Sequence, residues 1–397
     1  MAKLLEGNAV IGQSGGPTAV INQSLVGVIE AAVQAPAIQK ILGARHGVAG
    51  MKKNDFVDLR TLSKEQLEAI AVTPAAALGS TRDKPDEAYC QDIFKSLAAN
   101  NIRYFFYIGG NDSADTARIV SEISAKQNYE LRVFHIPKTI DNDLRTTDHC
   151  PGYGSAARFV ISAIMGDDRD NASLPGVKID VIMGRNAGWL TAASALARVE
   201  EDCGPHLIYM PERPVSEEQF CADVKAVTDR LGRCVVAVSE GIMHPDGKLY
   251  AEKILVNAEV DAHGNKQLSG TGALGDYLGD MIKQRVGIKR VRSDTFGYLQ
   301  RSFAGYASPV DQKEARTCGR KAVQYAMAAS SGSACMRRKP GETYGVSYFR
   351  AKLTDVARIT KHVPDEFIAA NGHDVTPAFI EYLKPLVGKL PVIGRIK

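Results

Sequence analysis

Residues 102–137 read IRYFFYIGGNDSADTARIVSEISAKQNYELRVFHIP, and this stretch sets the fold class. IRYFFYIGG is a short apolar run that reads as a buried strand. SADTARIVSEISAK carries apolar residues at helical spacing, with Ser113 expected as its N-cap. LRVFHIP returns to a strand. Strand, helix, strand is one βαβ unit, which puts both strand ends on the same edge of a parallel sheet. Those ends carry GGNDS (109–113) and PKTIDNDL (137–144).

The pattern extends in both directions. NAVIGQ (8–13) reads as a first strand, SGGPT (14–18) as a turn, and Ala19 to Val33 as a helix. Downstream, KIDVIMG (178–184), HLIYMPE (206–212) and RCVVAVSEG (233–241) read as strands. NAGWLTAASALARVE (186–200), SEEQFCADVKAVTDRLG (216–232, N-cap Ser216) and SGTGALGDYLGDMIKQRVG (269–287) read as helices. From about Arg316 the chain is first helical, then mixed and basic. The expectation is an α/β fold with two Rossmann-like lobes and mostly parallel sheets. In such sheets the carboxyl ends of the strands form the ligand crevice. Here they carry SGGPT, GGNDS, PKTIDND, MGRNAG (183–188) and SEG (239–241), polar glycine-bearing loops suited to a phosphate ligand.

Composition narrows the class. At 397 residues the chain calls for two or three domains, and 45% hydrophobic with 24% charged residues is ordinary globular usage. A net charge of +4 with dispersed basic residues gives no footprint for nucleic acid. Cysteines at 90, 150, 203, 221, 234, 318 and 335 form no C-x-x-C pair, and no His/Cys cluster has zinc spacing. This usage fits a reducing cytoplasm. No secretory h-region and no apolar run near 18 residues is present, so no membrane span is expected.

Each motif has a plain reading beside the chemical one. Gly15 and Gly16 could form only a tight turn, or offer amides to an anion at a helix start. Asn111 and Asp112 could belong to a capped helix start, or to a site for Mg²⁺ or the phosphates it carries. Lys138, Asp141 and Asp143 crowd one short turn. Asx-turns explain such residues singly, but a cation beside two mutually repelling carboxylates suits a general base in phosphate chemistry. Arg185 after a strand could hold an anion, and Glu240 could accept from a sugar hydroxyl or be a solvated loop acid. Arg292 and Arg301, flanking Tyr298, could clamp a phosphate or be a basic loop. Trp189 reads as core, and no histidine is given a role.

In order, SGGPTAVIN, GGNDS, PKTIDND, MGRNAG, SEG and GYLQRS resemble the loops of the phosphofructokinases over roughly residues 8–310. The resemblance implies an N-terminal donor lobe (1–150), a sugar-phosphate lobe (151–310) and a C-terminal extension (311–397). It implies a homodimer or homotetramer and Mg²⁺ as cofactor. Asp141 then matches the proton acceptor for the 1-hydroxyl of fructose 6-phosphate. Thr139, Ile140, Met183, Gly184, Arg185 and Glu240 match sugar contacts. Arg292, Tyr298, Leu299, Gln300 and Arg301 match the 6-phosphate pocket, and Gly15 and Gly16 the donor loop.

Two positions separate donors. ATP-using members read G-G-D-G-S and P-G-T-I-D-N-D, whereas this chain has Asp112 and Lys138 in the variable slots, as in the pyrophosphate-dependent branch. Asp112 adds bulk and charge where the α-phosphate of ATP would lie. Like charges ~4 Å apart cost about 4 kcal/mol at an effective dielectric near 20, roughly a thousandfold. Lys138 supplies a cation to a compact anion. Asn111 replaces the metal-associated Asp of ATP-using members, which argues against direct Mg²⁺ ligation, although an amide oxygen can bind through water. The alternatives left open are an ATP-dependent phosphofructokinase and a non-catalytic regulatory subunit that binds sugar phosphate.

Overall fold

The structure is a computed structural model that describes residues 5–254, 271–328 and 330–395. Its first five strands are β1 (Gly7–Gln13), β2 (Ile38–Ala44), β3 (Phe56–Asp58), β4 (Ile102–Gly109) and β5 (Arg132–Pro137). Next come β6 (Val177–Ile182), β7 (Leu207–Tyr209), β8 (Cys234–Ser239) and β9 (Val291–Thr295), and last β10 (Gly332–Arg338) and β11 (Val346–Ala351). The chain divides into two compact units. The first is Met1–Ile140, Leu144–Tyr153 and Arg301–Thr360; the second is Asp141–Asp143, Gly154–Gln300 and Lys361–Lys397.

In the first unit one sheet runs β11-β10-β5-β4-β1-β2-β3. The five central strands are parallel, and an antiparallel strand closes each edge. The period of two explains why the runs look continuously apolar. Ala9, Ile11, Tyr104, Phe106 and Ile108 face one core, while Val10, Phe105 and Tyr107 face the other. Each fully buried Phe or Ile there contributes about 1.5–3 kcal/mol. On the first face, helices Ile21–Val33 and Pro309–Met327 approach to backbone contact through a glycine on each. A Cβ at Gly27 would lie 2.0 Å from the Arg316 carbonyl oxygen, and one at Gly319 2.2 Å from that of Ser24. Only hydrogen fits at either position.

The second unit has a four-stranded, all-parallel sheet in the order β7-β8-β6-β9. Val177, Ile179, Val181, Val236 and Val238 pack there against Phe220, Val224, Leu278 and Ile282 of two covering helices. All seven cysteines are free and buried, as small hydrophobes. No described helix is long and apolar enough to cross a membrane.

Three local expectations need correction. The helix after β4 spans Asn111–Lys126 with Gly110 as N-cap, so Ser113 lies inside the first turn and caps nothing. The helix expected over 186–200 is only Trp189–Ala193, continued by a 3-10 turn at Ser194–Ala197. The hydroxyl of Ser194 bonds back to the Thr191 carbonyl, a local bond that competes with helix propagation. The helix placed from Arg316 starts at Pro309, and the basic stretch beyond it is the antiparallel pair β10–β11. Ser216 does cap its helix, accepting from Gln219 N. The helix read over 269–287 begins at Ala273; residues 269 and 270 lie outside the described residues.

Candidate active site

In the first unit β1, β4 and β5 are neighbours and parallel, so SGGPT, GGNDS and the start of PKTIDND leave the same sheet edge. Gly15 takes φ +76°, a conformation natural only to glycine, and its amide donates to the Thr81 carbonyl at 2.9 Å. The Lys138 ammonium donates to the Gly16 carbonyl at 2.7 Å and is 3% exposed. A Cβ at Gly15 would sit 3.2 Å from that ammonium, and one at Gly16 3.1 Å from the Arg301 guanidinium carbon. Two cations thus lie against the SGG loop. The structure places Arg301 at this loop, in the first unit, and Arg292 in the second.

The helix Asn111–Lys126 opens beside that loop. Its N-cap is a glycine and brings no side chain to the first-turn amides, which therefore present a positive end to the crevice. The Asn111 Oδ1 is buried and has no hydrogen-bond partner among the described residues, an acceptor suited to a cation or its water. Asp112 stands outward with its side chain 56% exposed and pairs with Lys84 at 3.1 Å. Solvent and Lys84 together discount the charge argument against ATP. In near-water dielectric the like-charge term falls to about 1 kcal/mol, roughly fivefold.

Sequence reasoning missed His135, whose imidazole supports this edge. It is buried on β5, with Nε2 2.8 Å from the Gly109 carbonyl and Nδ1 2.9 Å from the Ser333 hydroxyl. The carbonyl can only accept, so Nε2 carries the proton and Ser333 donates to Nδ1. Burial first, then nearby Lys138, lowers the His135 pKa to about 4. His149 was missed as well. It lies buried between the carboxylates of Asp148 and Glu314, each 2.7 Å away. Burial opposes its charge, but the two acids hold the imidazolium up to about 9. Nothing in the sequence spacing marks either pair, since the partners sit 198 and 165 residues away.

PKTIDND crosses from the first unit to the second between Ile140 and Asp141. Thr139 N donates to the Pro151 carbonyl at 3.2 Å, and Ile140 is buried. The turn is made by Asn142 at φ +54°, a left-handed conformation asparagine tolerates, with Asp141 and Asp143 on either side.

In the second unit the ends of β6, β8 and β9 bring most of the expected sugar-site residues together. Gly184 has φ +136°, and a Cβ there would meet the Ala187 carbonyl at 2.5 Å. Ser239 Oγ donates to the Gly184 carbonyl at 2.7 Å, Gly184 N reaches Glu240 Oε1 at 3.5 Å, and Met183 N donates to Gln300 Oε1 at 3.2 Å. A Cβ at Gly241 would meet the Arg185 carbonyl at 2.0 Å, so the glycine of the SEG stretch is required for the Arg185 loop to pack this closely. Tyr298 and Leu299 are exposed. Arg292 stands three residues before the end of β9, paired in register with Lys178, roughly 10 Å from that edge.

Among the described residues the carboxylates Asp167, Asp180 and Asp294 could jointly face a metal ion. Lys178 already fills that role: its ammonium pairs with Asp294 and lies 3.5 Å and 3.8 Å from Asp167 and Asp180. Burial, reinforced by Asp167, pushes the Asp180 carboxyl well up, toward its neutral form.

Residues 8–326 match the phosphofructokinase family model. The chain belongs to the phosphofructokinase family. It is 56% identical over 395 residues to a Rhodospirillum rubrum protein named pyrophosphate–fructose 6-phosphate 1-phosphotransferase, covering 99% of this chain and 98% of that one. The crystal structure of a pyrophosphate-dependent phosphofructokinase from Marinobacter aquaeolei superposes with TM-score 0.85 at 34% identity, over 98% of this chain and 94% of that one. One from Nitrosospira multiformis gives 0.87 at 33%, with the same coverage. The phosphofructokinase fold expected from the loops is the fold observed.

Proposed function

We propose that this phosphofructokinase moves a phosphoryl group from pyrophosphate to the 1-hydroxyl of fructose 6-phosphate, giving fructose 1,6-bisphosphate and orthophosphate. The observation that carries the donor assignment is the Lys138 ammonium, seated on the SGG loop where ATP-using members have glycine. The full-length likeness to the Rhodospirillum rubrum transferase supports the same reading.

Pyrophosphate lies over the amides of Gly15 and Gly16 and the start of the helix Asn111–Lys126. The Lys138 ammonium, held by its bond to the Gly16 carbonyl, brings a positive charge to the anion at this loop. Mg²⁺ bound with pyrophosphate would neutralise part of its charge, and Asn111 Oδ1 is the group that would hold it, directly or through water. Asp141 takes the proton of the 1-hydroxyl as its oxygen attacks phosphorus in line. The bond to the bridging oxygen breaks, and orthophosphate leaves with the electron pair. Arg185 and Glu240, at the β6 and β8 ends, orient the sugar, and Thr139 and Ile140 are taken as further sugar contacts from the PKTIDND stretch. This is catalysis by positioning and electrostatics. The two phosphoryl compounds are close in energy, so the reaction runs both ways. We further propose a homodimer or homotetramer in the cytoplasm.

A coupled assay for fructose 1,6-bisphosphate with pyrophosphate or ATP as donor tests the reading. Turnover with pyrophosphate and Mg²⁺, and at least tenfold less with ATP, is expected. Preference for ATP would overturn it. The Lys84–Asp112 pair is what keeps ATP as the second reading, because it softens the acid meant to exclude the nucleotide.

A further inference from the structure

The segment Lys361–Val363 binds two of the loops just described. Lys361 N donates to the Asp143 carbonyl at 2.7 Å. The Lys361 carbonyl accepts from Trp189 Nε1 at 2.9 Å, and its ammonium lies 5.1 Å from the centre of the same indole. Two residues on, Val363 N donates to Glu212 Oε1 at 2.9 Å. Glu212 also accepts from Gly188 N, at 3.0 Å and 3.1 Å to its two oxygens. Gly188 ends MGRNAG and is the N-cap of the helix that Trp189 begins. A second tie runs parallel: Asn142 Nδ2 donates to the Tyr382 hydroxyl at 2.9 Å. Tyr382 belongs to the helix Pro377–Val387, whose Phe379 packs with Phe367 and Trp189, ring centres 5.3–6.3 Å apart around Tyr382.

All of these residues lie in the second unit. Asn142 makes the left-handed turn that follows Asp141, Asp143 comes next, and Gly188 closes the loop that presents Arg185. The C-terminal segment is the element that bonds to both. A surface extension kept only for stability has no need to donate to the Asp143 carbonyl and, through Glu212, hold the Gly188 amide. Glu212 is 7% exposed at its side chain, and a carboxylate accepting several backbone N–H groups is a strong, directional clamp.

We propose that residues 361–382 are a positioning strap, in which Glu212, Trp189 and Tyr382 hold the proton-accepting turn at Asp141 in fixed geometry with the sugar-binding loop at Arg185. This rests on the functional reading above. Misplacement of a reacting group by about 1 Å costs on the order of a hundredfold in rate, and supporting hydrogen bonds around a site are worth tenfold or more. The bonds named here run to the turn at Asp141 and the loop at Arg185, so loss of the strap is expected to act on the sugar substrate.

The test uses the full-length enzyme and three conservative variants: Tyr382→Phe, Trp189→Phe and Glu212→Gln. Each removes or weakens a polar tie; Tyr382→Phe and Glu212→Gln keep the bulk, and Trp189→Phe keeps an aromatic ring in a smaller side chain. Tyr382→Phe and Trp189→Phe should lower kcat about tenfold or more, and Glu212→Gln should raise the fructose 6-phosphate KM by a similar factor. The pyrophosphate KM should stay within twofold in all three. Tyr277→Phe, which takes a hydroxyl from Glu217 in the same unit, serves as the stability-matched control with unchanged kinetics. Trp189 is the single tryptophan, so its fluorescence in the wild type reads the strap directly. Fructose 6-phosphate should change its emission and pyrophosphate alone should not. Wild-type kcat and KM in all three variants, or losses that track Tm and match the control, would overturn the strap. Absence of pyrophosphate-dependent turnover in the wild type would instead overturn the functional reading, and the fluorescence arm would still report on the strap.

Discussion

The Lys138 ammonium is bonded to the Gly16 carbonyl, which fastens the end of β5 to the loop after β1 and fixes a cation in the crevice before any anion arrives. A preformed charge needs no reorganisation when pyrophosphate binds. Lys138→Met keeps the buried stem and removes the charge. Steady-state kinetics should then show a pyrophosphate KM raised at least tenfold and a reduced kcat, with fructose 6-phosphate KM little changed. Unaltered pyrophosphate kinetics would remove Lys138 from the donor site.

Asp112 and Lys84 form an exposed pair, so the acid should act against ATP more by its bulk than by its charge. Asp112→Asn keeps the bulk, and it should improve ATP use less than about fivefold. Asp112→Gly together with Lys138→Gly should admit ATP to a measurable rate while weakening pyrophosphate use. A thousandfold gain from Asp112→Asn alone would restore the purely electrostatic account.

How much of this was legible in the sequence depends on the range of the interaction concerned. The βαβ frame, the loops at the strand ends and the cap at Ser216 follow from local spacing, and all stand where the pattern put them. The N-cap at Ser113 failed because a glycine starts the helix just as well at a crowded strand end, where a Cβ on Gly109 would sit 2.0 Å from the Ser113 hydroxyl. Arg301, His135 and His149 each take part of their role from a partner more than a hundred residues away, beside the nearer contacts of His135 with Gly109 and of His149 with Asp148. Spacing cannot encode those. The C-terminal residues likewise read as an unassigned tail until the bonds from Lys361 to Asp143 and Trp189 are seen.

Asp141 immediately precedes the left-handed Asn142 and is expected to carry the proton in the chemical step. Asp141→Ala should reduce kcat by a hundredfold or more while fructose 6-phosphate KM moves little, because the lost interaction exists mainly in the transition state. A kcat within threefold of wild type would eliminate it as the base.

Arg301 lies against Gly16, so its removal should be felt by the donor as well as the sugar phosphate. Arg301→Ala is expected to raise both KM values several-fold, and Arg292→Ala only that of fructose 6-phosphate. If the Arg301 variant left pyrophosphate KM untouched, its contact with the SGG loop would have no part in donor binding.

The two buried histidines set opposite limits on stability. His149 titrates at about 9 when folded, against roughly 6.5 unfolded, because Asp148 and Glu314 face its two nitrogens, with Arg338 behind Asp148 and Tyr344 behind Glu314. Its stabilisation is complete below pH 6.5 and is lost as pH rises toward 9. His135 titrates at about 4 when folded, so the neutral ring stabilises above pH 6.5 and that contribution is lost as pH falls toward 4. Thermal unfolding followed from pH 4.5 to 9 should therefore peak near pH 6.5, with Tm declining on the order of 5 °C or more on each side. His149→Gln should flatten the alkaline limb and leave the acid one, and His135→Gln the reverse. An alkaline limb unchanged in the His149 variant would show that its imidazolium contributes nothing to the fold.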